Sequence, residues 1–407
     1  MLAAVQRAGY GGAGLIGVGA FAHVYAARRE ACGTRVAIKH AIGGRDESDR
    51  RRLVREIKIL QILRGCDNVC RLLHVFLGDE AGDGPHMRGV FVVTELAQTD
   101  LHAALFAATG GPSWLSIQHC QLFVYQLLCA LKFMHSAGIV HRDINLRNLL
   151  VNANGDLRLC DFGLATHDFD ALRWRLAKSE SDALLPTASM APEVLLHWKR
   201  CGKPADVYAA GAVLATLLNV VAATATSGAA AITAENSSPF RTADPLTDTG
   251  QLVEVFRVLG LPESPVLKNI RMVASSRTTL DAAVKEYNAG LAEPNDTRFG
   301  SIGGGAGGGG GGVGHSGRGG NGWCSDNNGL AAHLLRFDPK QRPTAACALE
   351  DEWFRELRND VDEPAFDGNA RDVEAIFHGE GANAAARGGN WFAKELEKIA
   401  AASLHMS

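Results

Sequence analysis

Apolar positions along this chain change their spacing in ways that mark separate elements. Val36-Ala37-Ile38 runs into Lys39, an apolar strand pattern ending in a cation. Between Arg51 and Leu63, Leu53, Ile57 and Leu60 recur at helical spacing with Glu56 among them, which predicts an amphipathic helix. Leu149-Leu150-Val151 is a further short apolar run. Val207 to Ala234 holds no charged residue and meets the length rule for a membrane span. Alanine, threonine, serine and glycine dominate its second half, so the expectation is a buried central helix followed by a small-residue loop. Near the end of the chain, Phe392, Leu396 and Ile399 share one helical face, predicting a C-terminal helix that docks back onto the body.

Composition narrows the class. Gly303 to Gly322 is nearly all glycine, cannot bury apolar surface, and is expected to be a flexible surface loop. With a net charge of −3 over 407 residues, no global basic surface points to nucleic acid. Nine cysteines are scattered without metal-ligand spacing; Cys66 and Cys70 are four apart but lack a matching pair. They read as free thiols in a reducing compartment. Met1 to Gly14 lacks a sustained apolar core, so no secretion signal is expected there.

The polar motifs carry the chemistry. His141-Arg142-Asp143-Ile144-Asn145-Leu146-Arg147-Asn148, followed by Asp161-Phe162-Gly163, resembles the catalytic loop and magnesium-binding loop of a protein kinase. Ile16-Gly17-Val18-Gly19-Ala20-Phe21-Ala22-His23-Val24 resembles the glycine-rich loop over the ATP phosphates, with Ala22 where the third glycine would stand. Lys39 then matches the lysine on the α- and β-phosphates, and Glu56 its ion-pair partner. Ala191-Pro192-Glu193 resembles the motif closing the activation segment, Asp206 to Gly211 the start of the central helix, and Phe337 to Thr344 the late segment bearing Arg342. The resemblance implies a Glu193–Arg342 ion pair. Seven motifs in order leave chance no serious role. Because motifs flank the charge-free stretch on both sides, they argue against a membrane span there.

Further segments are similar to the mitogen-activated protein kinases. These are Arg55 to Leu60, Phe91 to Leu96 leading into Thr99-Asp100-Leu101-His102, Leu115 to Leu128, and Gln251 through Pro262. By that match Thr94 is the gatekeeper, the backbone of Glu95 and Ala97 meets the adenine, and Asp100 lies near the ribose. Ile16, Val24, Ala37 and Leu150 would sandwich the base. Asp360-Val361-Asp362-Glu363-Pro364 resembles the family's acidic docking site, where basic peptides of substrates and upstream kinases bind through Asp360, Asp362 and Glu363. The implied fold is α+β and two-lobed. A small β-rich lobe would span residues 10–96 and a larger, mainly helical lobe 97–354, the latter with a glycine-rich loop at 301–322. A C-terminal extension would occupy 355–407. The family implies ATP and Mg²⁺ as cofactors, with Asn148 and Asp161 as metal ligands, and a cytoplasmic location extending to the nucleus.

Three departures bear on mechanism. Asn145 stands where Ser/Thr kinases carry a lysine that contacts the γ-phosphate; losing such a donor typically costs ~2.7–4 kcal/mol, or ~10²–10³ in rate. No tyrosine occurs between Asp161 and Glu193, so the family's Thr-x-Tyr site is absent. Yet Arg142, Arg52 and Arg55 would still receive a phosphate, and Ser179, Ser181 or Thr187 could supply it, or Glu180 and Asp182 replace it. Pro186 to Met190 departs from the sequence that favours proline after the target residue. The expected activity is phosphotransfer to protein Ser/Thr, with Asp143, Lys39, Glu56 and Asn145 as the catalytic set. The alternative is a pseudokinase scaffold that binds ATP and partners. A cyclin-dependent relative is disfavoured by the docking segment and by a helix lacking the cyclin-binding sequence.

Overall fold

The structure is a computed structural model of the chain. It describes residues 2–19, 22–41, 47–78, 89–107, 111–168, 189–197, 201–226, 232–240, 247–262, 274–291, 329–359, 363–378 and 391–403. The glycine-rich stretch, Ala20 and Phe21, the activation-segment residues from Ser179 to Thr187, and Asp360 and Asp362 lie outside that set.

The smaller lobe is an antiparallel sheet with one long helix beneath it. A short helix α1 (Leu2–Arg7) precedes β1 (Tyr10–Val18), β2 (Ala22–Arg29) and β3 (Arg35–Ala41). With β4 (Leu72–Leu77) and β5 (Val90–Glu95) they form a sheet of order β1-β2-β3-β5-β4. Strand alternation decides what faces where. Val36 and Ile38 are buried with Tyr10, Phe76 and Phe91, so Ala37 and Lys39 project from the opposite face of the sheet. Helix α2 (Glu47–Ile62) starts earlier than the Arg51 expected and ends in a tight turn over Leu63–Gly65. Leu53, Ile57 and Leu60 are buried as their spacing requires, and Val54 and Ile59 widen the apolar face.

The larger lobe is built around α4 (Ile117–Ser136), preceded by α3 (Leu101–Phe106). Ser116 caps α4 by accepting from His119 N, and the His119 ring answers at the Ser116 backbone. Two small sheets hold the loops above it. In one, β6 (Thr99–Asp100), β8 (Leu149–Val151) and β9 (Leu157–Leu159) pair; in the other, β7 (Ile139–Val140) pairs with β10 (Thr166–His167). The helices α5 (Pro192–Leu195), α6 (Lys203–Thr226), α7 (Ala234–Ser237), α8 (Asp248–Leu259), α9 (Ala274–Leu291), α10 (Leu330–Leu334) and α11 (Ala345–Leu349) complete it. The charge-free stretch forms most of α6, which is long and apolar enough for a bilayer but packs against α4 and α10. A Cβ on Gly211 would sit 2.8 Å from Leu334 Cβ and 2.9 Å from Leu335 Cγ, so glycine is what allows that close approach.

The C-terminal extension returns to the sheet lobe. Val373 and Ile376 of α12 (Ala370–His378) are buried, and this helix packs against α2 and β10. Helix α13 (Trp391–Ser403) packs against β4 and α2, burying Leu396 and Ile399, with Lys58 and Glu395 paired at 2.8 Å. One expectation about this region is corrected. Glu363 does not present its carboxylate to solvent: the side chain is 4% exposed, accepts from Tyr125 Oη at 3.0 Å, and pairs with Lys132 at 3.2 Å. Burial with these partners makes it an anchor of the extension on α4, which a docking peptide cannot reach.

Candidate active site

The cleft between the lobes gathers residues from widely separated segments. From the sheet side, β3 carries Lys39 opposite Val24 on β2 and Val92 on β5. Its Nζ lies 2.6 Å from Glu56 Oε1 on α2 and 3.8 Å from Asp161 Oδ1. Burial disfavours the ammonium, but the Glu56 and then the Asp161 carboxylates outweigh it and hold the Lys39 pKa above the ordinary lysine range. The paired ends of β1 and β2 form the roof, where Gly19 N donates to Ala22 O at 2.8 Å. Ile16 and Val18 are exposed there, Gly17 and His23 partly so, and Ala22 is buried.

The loop from His141 to Asn148 is suspended from a buried acid. The backbone N–H groups of His141 and Arg142 donate to Asp206 Oδ2 and Oδ1, each at 2.8 Å, and His135 Nε2 meets Asp206 Oδ2 at 2.9 Å. Burial alone would raise the Asp206 pKa; the hydrogen bond and charge of His135 hold it below the ordinary carboxylate range instead. Asp206 lies in the first turn of α6, just before the charge-free stretch, and an acid at that boundary was the available clue to its role. The anchored loop turns through Arg142 at φ 74°, and His141 then donates from Nε2 to Cys160 O at 3.1 Å while its ring meets Phe162 edge-on at 4.8 Å.

Two amides grip Asp143. Asn148 Nδ2 donates to Asp143 Oδ2 at 2.8 Å and Asn145 Nδ2 to Oδ1 at 2.9 Å. Burial raises the Asp143 carboxyl above its ordinary range, with nearby Asp161 adding to the effect and His141 and both amides opposing it. Asp161 itself sits at φ 62° and ψ 77°, a left-handed conformation that costs a non-glycine residue of order 1–3 kcal/mol. That turn sends Phe162 into the core beneath α2 and leaves the Asp161 carboxylate half exposed toward Lys39.

The remaining floor comes from β5 and the small sheet. Thr94, Glu95 and Ala97 are partly buried along the connection between lobes. The Glu95 side chain is committed to Arg158 Nε at 3.0 Å and Arg71 N at 2.7 Å, so a ligand would meet its backbone. Asp100 caps α3 by accepting from Ala103 N at 2.9 Å and lies across from Leu150 in the β6–β8 register. Leu149 and Val151 face the core, which turns Leu150 the other way.

The oxygen-donor set suits a hard cation. Magnesium is commonly held by one or two protein ligands with substrate phosphates completing the shell. Asp161 offers an exposed carboxylate, and Asn148 spends its Nδ2 on Asp143, which leaves its Oδ1 as the oxygen to offer. Behind the loop, Arg142 lies close to Arg55 and Arg52 of α2. Burial, then the Arg55 and Arg52 charges, push Arg142 down to about 10, a concentration of positive charge suited to an anion. Farther off, Arg342 grips Glu193 at 2.6 and 2.7 Å, joining α5 to the segment after α10. Sequence reasoning had linked these two residues and placed Asp206 at the start of the central helix; it missed the bonds by which Asp206 and His135 hold the loop, and the committed amide of Asn145.

A two-lobed fold with this cleft defines the class, and comparison agrees: the chain belongs to the protein kinase family, its residues 10–354 matching the protein kinase domain. Within that family it is similar to mitogen-activated protein kinases. It is 30% identical over 354 residues to mitogen-activated protein kinase hog1 of Trichoderma harzianum, covering 86% of this chain and 81% of that one. The same identity holds over 351 residues with HOG1 of Cryphonectria parasitica (86% and 79%) and over 352 with mpkC of Aspergillus oryzae (86% and 83%). The chain is a kinase of the mitogen-activated type.

Proposed function

We propose that the chain transfers the γ-phosphate of Mg·ATP to serine and threonine hydroxyls of proteins. The observation that carries this reading is the convergence of Lys39, Glu56, Asp161 and Asp143 on one cleft, with Lys39 bridging the two acids and Asp143 held by two amides. Lys39, oriented by Glu56, binds the α- and β-phosphates; Asn148 and Asp161 would hold Mg²⁺, which would supply charge neutralisation at the triphosphate. Asp143 orients the substrate hydroxyl and takes its proton as that oxygen bonds to the γ-phosphorus and ADP leaves. Ile16, Val24, Ala37 and Leu150 flank the adenine, Thr94 guards the rear, and Asp100 meets the ribose. Most of the rate enhancement comes from positioning and electrostatics.

Substrates and upstream kinases dock through Asp360 and Asp362, in a cytoplasmic and nuclear setting. The arginines Arg142, Arg52 and Arg55 receive a phosphate from Ser179, Ser181 or Thr187, or the acids Glu180 and Asp182 in its place. Asn145 favours the second reading, a scaffold that binds nucleotide without useful turnover, because its amide is consumed within the loop. Single-turnover transfer from radiolabelled ATP separates the two. Wild type transfers phosphate and Asp143→Ala does not while still binding ATP; equal transfer by both proteins would remove Asp143 from its role.

A further inference from the structure

Asn145 is a structural cap, and that creates a problem the loop must solve elsewhere. Its Nδ2 donates to Asp143 Oδ1 and to Asp143 O, at 2.9 and 3.2 Å. Its Oδ1 accepts from Arg147 N at 2.9 Å, closing the tight turn over Leu146–Asn148. Both ends of the amide are thus spent inside the loop, and neither brings positive charge to a phosphoryl group in transfer. Lys39 is engaged by Glu56 and Asp161.

The loop itself holds two cations. Arg142 is turned by its left-handed backbone toward Arg55 and Arg52 on α2. Arg147 is exposed and adjoins Asn148, the residue that holds Asp143 from the other side. The turn capped by Asn145 is therefore the element that sets the position of Arg147. The Arg147 guanidinium rests with Nη2 3.2 Å from His102 Nε2. A guanidinium only donates, so His102 accepts through an unprotonated nitrogen. Burial and then the Arg147 charge lower the His102 pKa, with Asp100 opposing. His102 lies on α3, two positions beyond Asp100, so the guanidinium is parked at the floor of the cleft by one hydrogen bond to a neutral ring. Such a bond, partly exposed to water, is a weak latch against the pull of a polyphosphate.

We propose that Arg147 stabilises the transferring phosphoryl group in place of the missing lysine, resting on His102 until that group is present. The inference rests on the phosphotransfer reading above. A guanidinium suits the task because its planar donors match pairs of phosphate oxygens. In this chain Asn145 orients Asp143 and shapes the turn, and Arg147 carries the charge.

The test measures two quantities on the full chain: single-turnover transfer, and affinity for Mg·ADP with and without aluminium fluoride, a mimic of the phosphoryl group in flight. Arg147→Ala is expected to lose ~10²–10³-fold in transfer and comparably in aluminium fluoride complex affinity, with Mg·ADP affinity unchanged. Arg147→Lys retains part of both, and His102→Phe, which removes the latch, lowers neither. Equal values for Arg147→Ala and wild type overturn the proposal. So does an equal loss of plain Mg·ADP affinity, or a His102→Phe defect matching that of Arg147→Ala, since either makes Arg147 a brace for α3. If wild type shows no turnover, the phosphotransfer reading fails, while an aluminium fluoride preference that depends on Arg147 still upholds its contact. Absence of that preference in wild type overturns it.

Discussion

Replacing Arg342 by methionine removes a guanidinium whose five donors are all used. Two go to the Glu193 carboxylate at 2.6 and 2.7 Å, and the others to the carbonyls of Pro204, Phe337 and Arg336 at 2.8, 3.1 and 2.7 Å. The guanidinium also lies 4.8 Å from the centre of the Tyr208 ring. Both charged side chains are at most 1% exposed, so water cannot take over from a lost partner. Methionine keeps the apolar stem but leaves a buried carboxylate alone, which costs ~3–5 kcal/mol. Glu193→Leu strands the guanidinium and costs a similar amount. Once either charge is gone, removing the other relieves the isolated one, so the double variant is expected to be no worse than either single. The coupling in the cycle is then on the order of 3 kcal/mol. Urea unfolding of the wild type, both singles and the double measures it, and amide exchange in α5 reports local loosening. Additivity within ~0.5 kcal/mol would show the two residues to be independent and refute the reasoning.

Other expectations follow from the same geometry. Lys39→Met leaves Glu56 buried without its cation, so transfer should fall by ~10²–10³ while circular dichroism stays native; undiminished transfer would contradict the phosphate-clamp role. Asp206 has a folded pKa below its unfolded value of ~3.9, so its contribution to stability is full above that value and fades as pH falls through the lower one. Thermal melts from pH 6 to 2 should therefore show Asp206→Asn less stable than wild type at pH 6, with the gap narrowing below about pH 4. A gap constant with pH would count against that assignment. Leu396→Ala should cost ~2–5 kcal/mol because the side chain is fully packed, whereas Lys58→Ala, breaking a partly exposed ion pair, should cost under ~1 kcal/mol. Denaturant titrations giving the reverse order would mean that the C-terminal helix is held by charge instead of burial.

Much of the site was legible because its parts are short and locally constrained. A lysine ending an apolar strand, a glutamate on a helix of matching period, and two acids around a polar loop each leave a mark in sequence order. The expected helix over Arg51–Leu63 appears within a few residues of where periodicity put it, and the first part of the charge-free stretch forms most of α6. The ends shift because capping and tight turns, unlike periodicity, depend on single hydrogen bonds.

What the linear order determined, then, is which groups can do chemistry and the elements that carry them: Lys39, Glu56, Asp143, Asn148 and Asp161, and a helix able to fold back at the end. Packing alone decided which partners other polar groups in those motifs would take. Asp206 became the anchor of the loop that holds Asp143, Glu363 was drawn under Tyr125 and Lys132, Asn145 closed on its neighbours, and Arg147 came to rest on His102. The physical reason is that a buried polar group must find partners wherever the fold brings them, and Tyr125 and Glu363 meet across 238 positions of chain. No local pattern records such a meeting.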